Sequence, residues 1–258
     1  MVSHSVLAAL ALTGLTLFPA LAEAQAPSRQ DAVVVTRHPH DANAFTQGLF
    51  LQDGDLIEST GRVGSSGLRR VDLATGEVEQ SVSLEPPYFG EGSTRIGDRI
   101  YMVTWRRETG FIFDADTFAR VGTFSYPGEG WGLTQDGTAL ILSDGTAELR
   151  WLDPVTFEET RRVTVRLGGR PVRRLNELEW VDGEVWANIW QSDLIVRIDP
   201  ETGTVNGLID LGDIIPEAVA GSLDAVPNGI AWNAETGQVY VTGKLWPALY
   251  EISLNPPD

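Results

Sequence analysis

The sequence predicts an all-β fold made of five repeated units, and two observations support this prediction. Short segments of five or six residues alternate between apolar and polar side chains and end at Gly, Asp, Asn or Pro, which is typical of β-strands. Two series of motifs also recur along the chain, in phase with each other, about every 45 residues. No stretch has the periodicity of a long amphipathic helix, and only Asp213 to Ala220 is a candidate for a short one.

The first series consists of segments that carry Gly or Asn and open each repeat. They are FTQGLF from Phe45, FGEGST from Phe89, GWGLT from Gly130, LNELEW from Leu175 and PNGIAW from Pro227. Their first residues are 44, 41, 45 and 52 positions apart. This regular spacing indicates that one structural unit is repeated five times.

In the second series, an aspartate followed by a turn ends one strand and begins the next. The four aspartates are Asp72, Asp114, Asp153 and Asp199, spaced by 42, 39 and 46 residues. The fifth repeat ends with LYEISL and lacks the turn. Five repeats of four short strands predict a five-bladed β-propeller with four antiparallel strands per blade. A β-sandwich with coincidental spacing is the alternative.

The last repeat stops after its third strand, at Leu254, so the predicted ring lacks one strand. We therefore expect a strand near the N-terminus, around Ala32 to Arg37, to complete the last blade and close the ring. A propeller that is closed in this way leaves only short, protected strand edges.

Residues 1–26 resemble a secretory signal peptide. The segment from Val6 to Leu21 is almost wholly apolar, and the small residues that follow it place an Ala-x-Ala cleavage site near Ala24 or Ala26. A membrane anchor is the alternative, but the apolar run is short and contains Gly and Pro. The sequence thus predicts a single propeller domain over residues 27–258 in a secreted or periplasmic protein.

Composition narrows the range of partners. The net charge of −17 disfavours nucleic acid, since phosphate binding requires clustered Lys and Arg, and it also disfavours anionic membranes. The chain has no cysteine, so neither disulfides nor a thiol nucleophile are available. We expect a monomer.

In a propeller, the first strand of each blade lines the central axis, where the backbones converge. This crowding explains five glycines of the opening segments, namely Gly48, Gly90, Gly92, Gly132 and Gly229. The side chains beside them are then expected to face a shared cavity: Phe45, Gln47, Phe89, Glu91, Trp131, Asn176, Glu177 and Asn228 from first strands, and Trp105, Trp190 and Lys244 from the ends of second strands. Such a set suits a small polar ligand held by aromatic walls. Four other tryptophans are assigned to packing between blades: Trp151, Trp180, Trp186 and Trp232.

Metal and serine-hydrolase chemistry are both disfavoured. Beyond residue 26 the only histidines are His38 and His40, which precede the first repeat, so a zinc site would need carboxylates from elsewhere. No histidine lies within a repeat to serve as the base of a Ser-His-Asp triad. A carboxylate is the remaining proton carrier, with Glu91 as the leading candidate and Glu177 as its rival.

The motifs in every repeat resemble those of glutaminyl-peptide cyclotransferases of the plant and bacterial type. They are HDANAFTQGLF, YFGEGSTRIGDRIYMVTWRRETGFIFD, GEGWGLTQDG, LNELEWVDGEVWANIWQSDLIVRIDPETG, NGIAW and VTGKLWPALYEI, between about His38 and Ile252. The resemblance implies a five-bladed propeller that works without a metal or other cofactor. It also implies the reaction, in which the N-terminal glutamine of peptides or proteins is cyclised to pyroglutamate and ammonia is released.

The resemblance also assigns roles to residues. It implies Glu91 as the catalytic proton shuttle, Gln47 and Asn176 as groups that orient the substrate amide, and Lys244 as the group that steadies the oxyanion or pairs with a carboxylate. The implied substrate-binding aromatic residues are Phe45, Phe89, Trp105, Trp131 and Trp190. The loop from Leu211 to Val226 matches weakly. Two other functions compete: a non-catalytic periplasmic propeller that binds peptides or sugars, and a calcium-dependent lactonase.

Overall fold

The structure is a computed structural model that describes residue 1 and residues 27–256. The predicted signal peptide, with its apolar run and cleavage site, lies outside the described residues. Within the described part of the chain, no helix is both long enough and apolar enough to cross a membrane.

The described residues form five antiparallel units of four strands, which we call blades. Blade 1 contains β2 (Thr46–Gln52), β3 (Asp55–Thr60), β4 (Gly67–Val71) and β5 (Val78–Ser83). Blade 2 contains β6 (Gly90–Ile96), β7 (Arg99–Thr104), β8 (Thr109–Asp114) and β9 (Arg120–Ser125). Blade 3 contains β10 (Leu133–Gln135), β11 (Leu140–Ser143), β12 (Glu148–Leu152) and β13 (Glu159–Thr164). Blade 4 contains β16 (Leu175–Val181), β17 (Glu184–Ile189), β18 (Leu194–Ile198) and β19 (Val205–Asp210). A short hairpin, β14 (Arg166–Leu167) and β15 (Arg170–Pro171), connects blades 3 and 4.

The N-terminal strand completes blade 5, as the sequence predicts. Blade 5 contains β20 (Pro227–Trp232), β21 (Val239–Gly243), β22 (Ala248–Leu254) and β1 (Ser28–Pro39). Residues 32–39 of β1 pair antiparallel with β22. Residues 28–31 continue past the blade and pair in parallel with β19, which was not predicted. The strand β1 therefore joins blades 4 and 5 into one continuous sheet of eight strands.

The four aspartates of the second sequence series form the turns between the third and fourth strands of their blades. In each turn, one carboxylate oxygen accepts a hydrogen bond from the backbone N–H of the threonine three residues later. An aspartate that bonds its own turn in this way stabilises the reversal of the chain locally. Because each turn depends on its own aspartate and threonine, the repeat can be recognised in the sequence.

The first strands converge closely around the axis, and two glycines show why side chains are excluded there. The N–H of Gly92 donates a 2.7 Å hydrogen bond to the carbonyl of Trp131, and a Cβ at position 92 would collide with the backbone at Gly132. A Cβ on Gly132 would in turn collide with the carbonyl oxygen of Asn176. Blades 2, 3 and 4 can approach this closely only because these residues lack a Cβ.

Apolar side chains between neighbouring blades form the core. Trp151 is buried between blades 3 and 4, and Trp186 is buried between blades 4 and 5. Trp180 and Trp232 pack partly buried against the same clusters, so all four tryptophans occupy the packing positions expected from the sequence. Trp246 was not assigned a role; it is fully buried and donates its indole N–H to the carbonyl of Ala225.

A buried ionic cluster joins the segment after β1 to blade 1. Glu58 accepts hydrogen bonds from Thr46 Oγ1 at 2.6 Å and from Arg69 Nε at 2.7 Å, and it also contacts His40 Nε2 at 3.2 Å. Arg69 also bonds Asp41 at 2.9 Å. Burial by itself would raise the pKa of Glu58, but the neighbouring His40 and Arg69 lower it to about 2. The cluster therefore fixes the start of β2 through a carboxylate that is held ionised.

The short helix expected over 213–220 is replaced by two 3-10 helices, Gly212–Ile214 and Glu217–Val219. Pro216 separates them, because proline lacks an N–H and forces the preceding residue out of the helical region. Ile215 accordingly has ψ of 125°, an extended value.

Candidate active site

One cavity at the end of the propeller axis brings together nine of the eleven side chains that were expected to face it. The cavity has a volume of about 390 Å³. The nine candidates that line it are Phe45, Gln47, Phe89, Glu91, Trp105, Trp131, Asn176, Trp190 and Lys244. Three further residues line it that the sequence did not single out: Gln191, Leu223 and Asp224.

Irregular pairing in the first strands places the polar candidates. The register between first and second strands shifts at Gln47 in blade 1, at Glu91 and Gly92 in blade 2, and at Asn176 and Glu177 in blade 4. Such irregularities release residues from the ladder and re-aim their side chains, and they are common next to functional sites. The glycines beside Glu91 in FGEGST thus serve the close approach of blades, while the irregular pairing frees the carboxyl group to face the cavity.

Aromatic rings form a curved wall around four of the five blades, which we call the aromatic arc. The ring of Phe89 lies 6.2 Å from that of Phe45 and 5.7 Å from that of Trp105, both in edge contact. Trp131 and Trp190 make a further edge contact at 5.6 Å. Edge-to-face contacts of this kind are favourable, so the rings hold each other in place.

Glu129 joins the two halves of the aromatic arc, a role that the sequence analysis missed. Its Oε2 accepts hydrogen bonds from both indole N–H groups, at 2.8 Å from Trp105 and 2.9 Å from Trp131. Its Oε1 accepts a 3.0 Å bond from Arg106, whose guanidinium carbon lies 3.7 Å from the centre of the Trp105 ring. The only sequence signal was a second carboxylate between glycines, in GEGWG.

Glu91 is the buried carboxylic acid of the cavity, with 6% of its surface exposed. Among the described residues, no hydrogen bond reaches its carboxyl oxygens; only its backbone carbonyl is bonded, by Ser59 Oγ at 2.7 Å. Burial raises the pKa of Glu91 well above the ordinary value, the charge of Lys244 lowers it in part, and the charge of Glu129 raises it further. The site thus contains a carboxyl group that holds a proton more readily than usual.

Lys244 closes the ring of side chains on the side of blade 5. Its Nζ lies 5.0 Å from the centre of the Phe45 ring, and the side chain is buried. Burial lowers the pKa of Lys244, while the negative charges of Glu91 and Asp224 oppose part of that shift. Among the described residues, no carboxylate lies within 4 Å of its ammonium, so direct pairing with Glu91 or Glu177 is not observed.

A chain of amides crosses the floor of the cavity. Asn176 Nδ2 donates a 2.7 Å bond to Asn228 Oδ1, and Asn228 Nδ2 donates to Gln47 Oε1 at 3.3 Å and to the carbonyl of Thr46 at 2.9 Å. These bonds assign the amide orientations. Asn176 is left with its oxygen, an acceptor, and Gln47 with its nitrogen, a donor. Asn228 lies behind both residues and does not line the cavity.

Glu177, the rival proton carrier, lies deeper along the axis and does not line the cavity. Its two oxygens accept backbone hydrogen bonds from Leu49 at 3.3 Å and Ile230 at 3.0 Å. Glu177 therefore connects the first strands of blades 1, 4 and 5. Its carboxylate is occupied by the fold, whereas that of Glu91 is available to a ligand.

The arrangement suits a small ligand that carries an amide and an amine. Apolar rings can shape such a ligand, Gln47 and Asn176 can bond its amide, and Glu91 can exchange a proton with its nitrogen. The ligand does not need to extend along the propeller axis beyond Asn228.

Comparisons with known proteins agree on one family. The family model described as glutamine cyclotransferase matches residues 6–254. A curated relative, glutaminyl-peptide cyclotransferase of Arabidopsis thaliana, is 46% identical over 226 residues, which is 86% of this chain and 70% of the relative. The crystal structure of glutaminyl cyclase from Myxococcus xanthus superposes with a TM-score of 0.83 at 40% identity, covering 89% of this chain and 98% of that one.

Proposed function

The chain belongs to the glutamine cyclotransferase family and is a glutaminyl-peptide cyclotransferase, and we propose that it performs the reaction in the cavity described above, with Glu91 as the proton shuttle. The substrate is the N-terminal glutamine of a peptide or protein. Its α-amine attacks its own side-chain amide carbon, the C–N bond of the ring forms, and the former amide nitrogen leaves as ammonia. The product is pyroglutamate.

The first requirement is a folded-back substrate. A glutamine side chain in water samples many rotamers, and few of them bring the α-nitrogen near the amide carbon. The aromatic arc restricts the side chain to a compact shape between Phe89, Trp105 and Trp131. Because amine and amide already belong to one residue, this restriction of rotamers supplies only part of the ~7–11 kcal/mol that full positioning of two reactants can contribute.

The second requirement is proton transfer from the amine to the leaving nitrogen. The attacking amine must be neutral, and it carries an excess proton once the bond has formed. Ionised Glu91 accepts that proton and then donates it to the departing nitrogen, so that ammonia rather than its anion leaves. A positioned acid-base group typically accelerates such a step by about 10²–10⁴-fold. A carboxyl whose pKa is raised by burial suits both halves of the transfer.

The third requirement is stabilisation of the amide oxygen as it becomes negative. The free N–H of Gln47 and the ammonium of Lys244 are the donors that the cavity offers for this oxygen. The free oxygen of Asn176 can accept a bond from the substrate amide nitrogen and fix its direction. These roles leave every polar group of the cavity floor with one substrate partner.

One observation supports the proposal most strongly: the carboxyl group of Glu91 is buried in an aromatic-walled cavity and, among the described residues, is bonded to no protein group. A carboxyl group that faces the cavity and bonds no protein group is available to bond a ligand nitrogen.

The experiment that tests the proposal is incubation of the purified protein with a short peptide that begins with glutamine. Mass spectrometry should show the loss of one ammonia, and a peptide that begins with asparagine serves as the control. We expect the loss to continue in the presence of a chelator and to be unaffected by added calcium, in contrast to a calcium-dependent lactonase. A peptide that binds without losing ammonia would instead support a binding protein.

We also propose that the protein acts outside the cytoplasm as a monomer. The signal-like residues 1–26 and the high negative charge support this proposal. Fractionation of cells that produce the full chain, followed by size measurement of the exported form, tests both statements.

A further inference from the structure

The aromatic arc leaves one side of the cavity without a ring. Rings from blades 1 to 4 form the arc, whereas the blade 5 side presents Lys244, Asp224 and Leu223. In a peptide substrate, the chain beyond the first residue must leave the cavity while the glutamine stays inside. We expect the peptide chain to leave the cavity on the side without a ring, because on that side its backbone does not have to pass over the aromatic rings.

A second cavity of about 390 Å³ begins at this exit. It shares two lining residues, Gln191 and Leu223, with the first cavity, so the two are adjacent. The loop between β19 and β20 supplies most of its wall, including both 3-10 helices. Gln191 accepts a 3.2 Å hydrogen bond from Arg174, which fixes the amide at the junction of the two cavities.

The residues that line the second cavity determine which side chains of a bound peptide it favours. Ile215, Val219 and Leu223 offer apolar surface and Asp193 adds a negative charge, while Asp224, next to Leu223 in the chain, lines the first cavity. Leu223 is 78% exposed where the two cavities meet, so a peptide chain that leaves the first cavity there would cover it. Apolar side chains are therefore favoured here, and carboxylates are disfavoured by like charge.

We infer that the second cavity binds the residues that follow the N-terminal glutamine, and that it selects peptides whose second and third residues are apolar. This inference rests on the proposed function, since it takes the first cavity as the site of the glutamine. Leu223 is then a specificity-determining residue, which contacts the peptide chain and not the reacting atoms.

The test compares three substrates of the same reaction: glutaminamide, a peptide beginning Gln-Leu-Leu, and one beginning Gln-Gly-Gly. We expect kcat/KM to be about tenfold higher for the leucine peptide than for the glycine peptide, the low end of what an apolar pocket provides. Leu223→Ala should remove most of that preference; because the preference is a ratio of two kcat/KM values within one variant, any effect on the glutamine common to both peptides cancels. Because Leu223 is exposed, its truncation removes no core packing. Val155→Ala, at another exposed apolar residue far from the cavity, is the matched control and should retain the preference.

The outcomes separate the two claims. If glutaminamide is cyclised but both peptides react equally well, or if Leu223→Ala keeps the full preference, the second cavity is not a subsite and the inference fails while the proposed function stands. If no substrate loses ammonia, the proposed function fails and the inference fails with it. A preference that is lost in Leu223→Ala and kept in Val155→Ala supports the subsite.

Discussion

The indole N–H of Trp105 donates a 2.8 Å hydrogen bond to Glu129, and the same carboxylate oxygen accepts a second bond from Trp131. Two walls of the cavity, from different blades, are thus oriented by one acceptor. We expect Glu129→Ala to lower kcat/KM for glutaminyl substrates about tenfold, the effect of losing a hydrogen bond to a charged group. Glu129→Gln keeps an acceptor oxygen and should stay within about threefold of the wild type.

The same two variants separate the role of Glu129 in positioning the two indoles from an effect of its negative charge on activity. Tryptophan fluorescence should change in Glu129→Ala and much less in Glu129→Gln, because the indole environment depends on the acceptor. Equal losses of activity in both variants would contradict a positioning role and would indicate that the charge itself matters.

Asn228 links Gln47 to Asn176 without lining the cavity. Asn228→Ala leaves the buried amide of Asn176 and the carbonyl of Thr46 without a partner, so we expect a loss of about 1–3 kcal/mol in the free energy of unfolding. The floor of the cavity should also lose its order, with a fall of about tenfold in kcat/KM for the folded variant. Urea unfolding and steady-state kinetics measure the two effects, and unchanged kinetics in a destabilised variant would refute the positioning role.

Most of the fold was predictable because its signals are local. Each aspartate turn is bonded by the threonine three positions later, and the glycines of the first strands mark close approach at regular intervals. The parallel pairing of Ser28–Asp31 with blade 4 was not predictable, because it depends on where β1 lies after the ring has closed. Pro216 lies within the predicted short helix over 213–220 and divides it into two 3-10 helices, because proline disfavours the helical conformation of the residue before it.

The sequence predicted most of the residues that line the candidate site, but it predicted less well how they are positioned. Eleven side chains were expected to face one cavity, and nine of them line it, whereas Glu177 and Asn228 lie behind it. The sequence could not place Glu177 behind the cavity, since the side to which a residue turns depends on the register shift at Leu175 to Leu178. Nor could it identify Glu129, whose function depends on two indoles from separate loops reaching one oxygen.

The pH dependence of stability should reveal the Glu58 cluster. Glu58 has a pKa of about 2 in the folded protein, below the usual value of 4.5, so its contribution is fully present above pH 4.5 and is lost as the pH falls towards 2. Glu58→Gln leaves His40 without its anion and Arg69 with Asp41 alone, and we expect a loss of about 3–5 kcal/mol at neutral pH. Urea unfolding of both proteins should show this difference shrinking between pH 4.5 and pH 2. A difference that is independent of pH would contradict the ionic account.

The pH dependence of activity should reveal the influence of Lys244 on Glu91. Two groups shape the acid limb of kcat/KM, because the substrate amine must be neutral and Glu91 must be ionised; comparing two variants with one substrate isolates Glu91, whose raised pKa places its part of the limb above the range of an ordinary glutamate. Lys244 holds that pKa down, and Lys244→Gln should therefore move the acid limb to higher pH, in addition to lowering the rate. The measurement is kcat/KM against pH for both proteins, and an acid limb that stays in place would show that Lys244 does not influence Glu91.

The most direct test of the account is ammonia release from a glutaminyl peptide by the wild type and by Glu91→Gln, with Glu79→Gln on the outermost strand of blade 1 as the matched control. Glu91→Gln preserves the shape of the side chain and removes its ability to carry a proton. We predict that kcat falls by at least about 100-fold in Glu91→Gln, the usual effect of losing a positioned acid-base group, and that Glu79→Gln matches the wild type. Glu91→Gln that folds normally and retains the wild-type kcat would contradict the central claim, and the proton shuttle would have to be sought elsewhere in the cavity.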